Sequence, residues 1–295
     1  MSRRRSPSRA SPLPAAEATS AIDDLELVAA AARAGGALAL EFFGRDPEVW
    51  SKSNNSPVSA ADLAVDKFLF ERLRTARPDY GWLSEETEDD AERLGRRRVF
   101  VVDPIDGTRG FLAGSDEWTI SIAVVEDGRP VAGALYRPVT GALYTASLGG
   151  GARRNGRLIQ VTARETLAGA TIAGPPVMLH KIRAHVAAMG EQMVEAGYIA
   201  SLALRVALVA DGALDLAVAR KNSHDWDLAA ADLILAEAGG RLIGSDGEEL
   251  GYNRPKPVQP ALIAAPPAVA ALIWPLVRRE AESHESSGDR APRAH

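Results

Sequence analysis

Two aspartates, Asp103 and Asp106, stand three residues apart in the segment VVDPIDGTRGF (residues 101–111), and a Gly-Thr pair follows the second. The β-branched run RVFVVD carries Asp103 to the end of a strand. Pro104 has no N–H for a ladder, so the chain is predicted to leave the sheet there. Two carboxylates about 4 Å apart repel by about 4 kcal/mol at an effective dielectric of about 20. A divalent cation between them resolves that repulsion, with the Ile105 carbonyl as a further oxygen ligand. Gly107 and Thr108 are predicted to open a helix, and their N–H groups suit a phosphate. Taken alone, the same residues also read as a strand end followed by a plain turn.

Two other acidic segments have the same double reading. In WLSEET (residues 82–87) an apolar Trp82-Leu83 leads into Glu85-Glu86, which alone would be a solvated turn, like the following Glu88, Asp89 and Asp90. In HDWDLAAADLILAEAGG (residues 224–240) Asp227 sits beside Trp226 at a helix N-terminus, ahead of an Ala-rich face able to pack closely. Alone, Asp227 would be a helix cap.

Taken together, Ser84-Glu85-Glu86-Thr87, Asp103 to Thr108 and Trp226 to Gly240 resemble the inositol monophosphatase superfamily. Its members carry a GEES-like acidic pair, DPIDGT and WDxAAxxxxxxEAGG in this order. The resemblance spans roughly residues 22 to 278. It implies a lithium-sensitive phosphatase with two or three Mg2+ ions, held by Glu85, Asp103, the Ile105 carbonyl, Asp106 and Asp227. It further implies phosphate contacts at Gly107 and Thr108, a Thr108–Asp62 pair that activates water, and Glu86 as a second acid near that water. Lys52 falls at a family lysine. The implied fold is α/β (α+β), a layered αβαβα sandwich of the inositol monophosphatase and sugar phosphatase type. The implied partner is a small phosphate ester, and relatives in this family are often homodimers.

Within the superfamily, Arg109 after DGT and the segment Glu117-Trp118-Thr119 resemble the bacterial 3′(2′),5′-bisphosphate nucleotidase branch. That branch cleaves 3′-phosphoadenosine 5′-phosphate in sulfur metabolism. Ser201 to Arg205 departs from the branch's Gly-Ser-rich pocket segment, with Arg205 where a lysine is common and a substrate contact is expected. Lys221, Asn222 and His224 read equally as contacts to a second phosphate or ribose and as a solvated loop. The alternatives are an inositol-1-phosphate phosphatase and a member with a non-catalytic binding role.

These residues need a scaffold, and the 295-residue chain is long enough to provide one. Helical spacing is predicted over Asp23–Phe43 and again from Ser59, with Asp62 in the first turn of the second helix, where a carboxylate suits the dipole. TISIAVVE, PVAGALYRP, ALYTASL and ARRNGRLIQV read as an antiparallel meander. Beyond a boundary near residue 166, helices are predicted at 180–196, 202–210, 227–238 and 267–282, the last kinked or broken at Pro275, with a strand at 214–219. The implied units are 22–165, with the DPIDGT site, and 166–282, with the Asp227 ligand. Residues 1–21 and 283–295 read as disordered extensions.

Composition removes other classes of function. The chain has no cysteine, so thiolate chemistry is excluded, and its five histidines lack metal-ligand spacing, leaving hard oxygen ligands. A formal net charge of −5 gives no global steering toward nucleic acid. No run reaches the roughly 20 apolar residues of a membrane span, and the expected location is the cytoplasm.

Overall fold

Leu25, Val28, Ala29 and Ala32 do lie along a helix, α1 (Ala15–Phe42), which begins earlier than Asp23. The computed structural model describes residues 15–45, 48–51, 57–245 and 247–288. Residues 1–14, Lys52 and residues 289–295, on which some of the expectations fall, lie outside the described residues. A short antiparallel pair, β1 (Val49–Ser51) and β2 (Pro57–Ser59), leads into α2 (Ala60–Ala76).

A seven-stranded sheet follows in sequence order: β3 (Gly81–Ser84), β4 (Arg98–Asp106), β5 (Thr119–Glu126), β6 (Arg129–Arg137), β7 (Ala142–Ser147), β8 (Gly151–Arg154) and β9 (Arg157–Leu158). From β4 onward the pairing is the antiparallel meander that the alternation predicts. The parallel edge strand β3 was not predicted, because GWLS is too short to show a period. Pro104 does not end β4 as expected. The strand continues to Asp106, which pairs with Thr119 after a register shift that begins at Asp103. Such an irregularity interrupts the ladder where proline lacks its donor, and so accommodates it. The short helix α3 (Thr108–Leu112) opens immediately afterwards.

The second sheet has the order β11-β10-β12-β16-β14. Along the chain its parts are β10 (Thr171–Ala173), α4 (Pro176–Ala188), β11 (Val194–Glu195), α5 (Leu202–Ala210), β12 (Leu216–Ala219), β13 (Ser223–His224), α6 (Asp225–Glu237), β14 (Arg241–Gly244), β15 (Val258–Gln259), β16 (Leu262–Ala265) and α7 (Pro267–Gly288). Strands β13 and β15 form a separate pair. Two helix expectations need correction. The helix predicted at 180–196 begins at Pro176, since proline suits a first turn. It stops at Ala188, and Val194–Glu195 instead joins the sheet alongside β10, whose edge offers unpaired backbone groups. α7 runs through Pro275 to Gly288, past the tail boundary expected at residue 283. Proline forfeits one helical hydrogen bond there. Its side chain is exposed, while Val269, Ala270, Ile273 and Val277 anchor the helix in the core.

The layers follow from strand alternation. In β4, Phe100 and Val102 pack toward α1 and α2, whereas Val99 and Val101 face the opposite core with α5 and α6. In β12, Ala217 and Ala219 face that same central core, while Leu216 and Val218 face α4 and α7. The result is an αβαβα sandwich, with α5 and α6 as the middle layer. Among the described residues, no helix is long and apolar enough to cross a membrane.

Candidate active site

The parallel pairing of β3 with β4 places Glu85 beside Asp103, since the Glu85 N–H donates to the Val102 carbonyl (3.3 Å) just past the end of β3. Asp103 is buried and accepts a hydrogen bond from the Ile105 N–H at 3.0 Å. From the middle layer, the first turn of α6 brings in Asp227, which accepts the His224 N–H at 2.7 Å. Carboxylate oxygens of Glu85, Asp103 and Asp227 lie within 4.8 Å of one another. Three acidic segments that separately read as turns or caps thus converge on one point.

Asp106 faces the same place, but α5 holds its carboxylate. Its Oδ2 accepts from Ser201 Oγ (2.5 Å) and the Ala203 N–H (2.6 Å), and its Oδ1 accepts from the Leu202 N–H (3.3 Å). Ser201 also caps α5, accepting from the Leu204 N–H at 2.9 Å. Between Asp106 and α3, Gly107 adopts φ +94°, and a Cβ there would sit 2.8 Å from the Glu117 carbonyl oxygen and 3.0 Å from the Ser201 nitrogen. Both the backbone angle and the space demand glycine.

Thr108 Oγ1 lies 3.2 Å from Asp62 Oδ1 and 3.2 Å from the Ile105 carbonyl oxygen. Asp62 occupies the third position of α2 and accepts from the Ser59 N–H (2.8 Å) and Ser59 Oγ (2.5 Å). The pairing expected between Thr108 and Asp62 is therefore present.

Burial raises the pKa of Asp103 well above the usual carboxylate range, and the charges of Glu85, Asp106, Asp227 and Asp62 raise it further. Asp227 is raised for the same reasons, by burial and then by Asp106 and Glu85. Burial also pushes Asp106 up, but only to about 6, because Ser201, Ala203, Arg205 and Leu202 oppose the rise. Asp62 is raised by burial against its Ser59 hydrogen bonds. A cluster of hard oxygen donors that resist sharing negative charge fits a small divalent cation.

Glu85, Asp103, Asp106, Gly107, Thr108 and Asp227 line one cleft of about 150 Å³, together with Arg109, Tyr198 and Ala200. Arg109 is exposed at this cleft. Glu86, Arg205, Lys221, Asn222 and His224 are not among the lining residues. The Glu86 N–H lies 3.5 Å from Ser84 Oγ. Arg205 donates to the carbonyls of Val218 (3.1 Å) and Ser201 (3.4 Å), behind Asp106. His224 stacks on Trp226 with ring centroids 4.5 Å apart. Of the branch segment, Trp118 is a core residue against Phe43 and Phe111.

Three contributors escaped the sequence reading. Tyr198 and Ala200 precede α5 in a stretch without a pattern. Asp66 accepts from Thr87 Oγ1 (2.6 Å) and from Ser84 Oγ, and so secures the turn that carries Glu85. Its spacing of four from Asp62 on a helix was the available signal.

Residues 22–282 match the inositol monophosphatase family. The inositol-1-monophosphatase of Rhizobium meliloti is 34% identical over 232 residues, covering 75% of this chain and 85% of that protein. The 3′(2′),5′-bisphosphate nucleotidase CysQ of Escherichia coli K12 is 32% identical over 233 residues, covering 76% and 91%. The crystal structure of extragenic suppressor protein suhB from Bartonella henselae superposes with a TM-score of 0.75 at 30% identity, covering 87% of this chain and 99% of that one. The Thermotoga maritima IMPase gives 0.76 at 26% identity, covering 89% and 99%. The chain belongs to the inositol monophosphatase family, and with it to the metal-dependent phosphoric monoester hydrolases. The nucleotidase and inositol phosphatase relatives are similarly distant, so identity alone does not choose the ester.

Proposed function

We propose that the protein is a Mg2+-dependent 3′(2′),5′-bisphosphate nucleotidase that hydrolyses 3′-phosphoadenosine 5′-phosphate to AMP and phosphate. The observation that carries this reading is Arg109, an exposed cation on the same cleft as the carboxylates. A bisphosphate has a second anionic group for it, whereas a monophosphate does not. The similarity to CysQ supports the same substrate class.

In this reading Glu85, Asp103 and Asp227 hold Mg2+, with Asp106 and the Ile105 carbonyl completing the oxygen set. A bound ion lowers the pKa of water and offsets phosphate charge. The chain's own residues do the remainder. The N–H groups at Gly107 and Thr108 orient the phosphate. Thr108 Oγ1 accepts the proton of the attacking water while passing its own to Asp62, whose carboxylate lies 3.2 Å away and whose proton affinity is raised by burial. Water oxygen bonds to phosphorus, the ester P–O bond breaks, and the departing alkoxide takes a proton from solvent water, while Asp62 later returns its own to solvent. Cysteine plays no part, in keeping with the sequence.

The Rhizobium meliloti relative favours a second reading, inositol 1-phosphate, with the same chemistry. Phosphate release from the two esters, measured side by side with Mg2+ and with or without lithium, tests the choice. A higher kcat/KM for the nucleotide, reduced by Arg109→Ala, is expected. Preference for inositol 1-phosphate would overturn the nucleotide assignment and leave the carboxylate centre in place.

A further inference from the structure

Arg93 is among the largest fully buried side chains of the protein, although it sits in a short 3-10 turn at Ala91–Gly95 among exposed residues. Burying a guanidinium costs several kcal/mol unless its donors are paired. Here they are. Nε and Nη2 donate to the two carboxylate oxygens of Asp89 (2.5 and 2.8 Å), Nη1 to Asn253 Oδ1 (2.6 Å), and Nη2 also to the Arg254 carbonyl (3.1 Å). The seat is shaped for it: a Cβ on Gly81, at the start of β3, would lie 3.0 Å from the Arg93 Cβ and 3.1 Å from its Cα.

The contacts continue beyond Asn253. Its N–H donates to Asp225 Oδ2 at 2.7 Å, and Gln259 Nε2 donates to Asp225 Oδ1 at 2.6 Å. Asp225 is fully buried at the first residue of α6, two residues before Asp227. At the other end, Asp89 follows Glu85 by four residues, and Asp66 pins the turn between them through Ser84 and Thr87. A continuous polar strut, Asp89–Arg93–Asn253–Asp225, thus joins the Glu85 turn beside the first sheet to the Asp227 helix of the middle layer. Neither end touches the cleft.

We propose that Arg93 is a positioning residue that fixes Glu85 and Asp227 relative to one another, and so sets how tightly the carboxylate cluster holds a divalent cation. The inference rests on the reading of that cluster as a metal centre. The flat, forked guanidinium bridges three partners at once, which the single ammonium of lysine does not reproduce. Arg93→Lys keeps the charge and loses the fork.

The test is calorimetric titration of MgCl2 into the metal-free full-length protein, with the Mg2+-dependent rise in melting temperature as a second readout. Arg93→Lys is expected to weaken Mg2+ binding roughly ten-fold, the usual scale for groups that orient metal ligands. Turnover at saturating Mg2+ should stay within about two-fold of wild type, because the ligands themselves remain. Asn253→Gly is the gentler variant should the lysine protein not fold. Asn253 has φ +55°, which glycine adopts freely, while the acceptor for Arg93 is removed. Arg98→Lys is the control, since Arg98 pairs with Asp24 and Glu126 at the opposite end of β4 from Asp103. Unchanged Mg2+ affinity in both Arg93→Lys and Asn253→Gly, or equal weakening in Arg98→Lys, would overturn the strut. If wild type itself binds no Mg2+, the metal-centre reading fails and the strut falls with it.

Discussion

Asp103 and Asp106 lie three residues apart at the end of the same strand, yet their surroundings treat their charge differently. Asp103 receives one backbone N–H, from Ile105, and four neighbouring carboxylates raise its pKa further above the range already lifted by burial. Asp106 is equally enclosed, but the capping serine and two N–H groups of α5 meet it, and its pKa stops at about 6. A strand end gathers carboxylates without compensating them, whereas a helix N-terminus supplies donors and a favourable dipole. Asp62 belongs with Asp106 in this respect, accepting the backbone N–H and the hydroxyl of Ser59 at the start of α2. The uncompensated charge is concentrated on Asp103 and Asp227, which is where a cation gains most.

The most severe way to break this contrast is Asp103→Asn. Turnover with Mg2+ should fall roughly a thousand-fold, equivalent to about 4 kcal/mol of barrier. Stability should respond in the opposite sense. A carboxyl whose folded pKa lies above its unfolded value stabilises the fold below the unfolded value, about 4, and loses that contribution as pH rises through the folded pKa. Metal-free wild type should therefore lose melting temperature from about pH 4 upward. Asp103→Asn should be the more stable protein at neutral pH, with the gap closing toward pH 4. A variant that melts below wild type at neutral pH without metal would contradict the account of Asp103.

Thr108→Val probes the Asp62 partner and keeps the side-chain volume. A loss of about a hundred-fold in kcat is expected, the lower range for a proton-transfer group, with Mg2+ affinity by calorimetry unchanged. Equal loss of Mg2+ binding would place Thr108 with the ligands instead of the proton path.

Ser201→Ala should have the smallest effect and sharpens the contrast most directly. Removing the hydroxyl takes away a group that lowers the Asp106 pKa. The acidic limb of the kcat/KM profile should then move to higher pH, because Asp106 stays protonated further up the scale. Loss of the α5 cap should also cost about 1 kcal/mol of stability. An unmoved limb would show that ionisation of Asp106 does not govern the acidic side of the profile.

Much of the site was legible in the chain because its signals are local. DPIDGT holds two acids, a carbonyl and a Gly-Thr helix start within six consecutive residues, and Asp62 and Asp227 announce themselves as helix starts. Strand and helix periods marked β5 and α5 with their observed bounds for the same reason. Other features depend on contacts between distant parts of the chain. The parallel edge strand β3 and the bulge that keeps Pro104 in β4 exist because neighbouring strands offer them a ladder. Val194–Glu195 leaves its helical pattern for the edge of β10. Ser201 caps α5 in the structure, and its second bond, to Asp106 95 residues away, has no local trace in the sequence.

The sequence by itself determined the family, the chemistry of the donors and which acids stand at strand or helix ends, since each depends on neighbours a few residues away. Only the tertiary structure decided which of those acids share one point, that Arg205 turns to the Val218 carbonyl while Arg109 faces the cleft, and that the buried Arg93 ties the Glu85 turn to α6. Those outcomes depend on packing two sheets against one middle layer, where desolvation and hydrogen-bond pairing across long chain separations choose the partner for each charge.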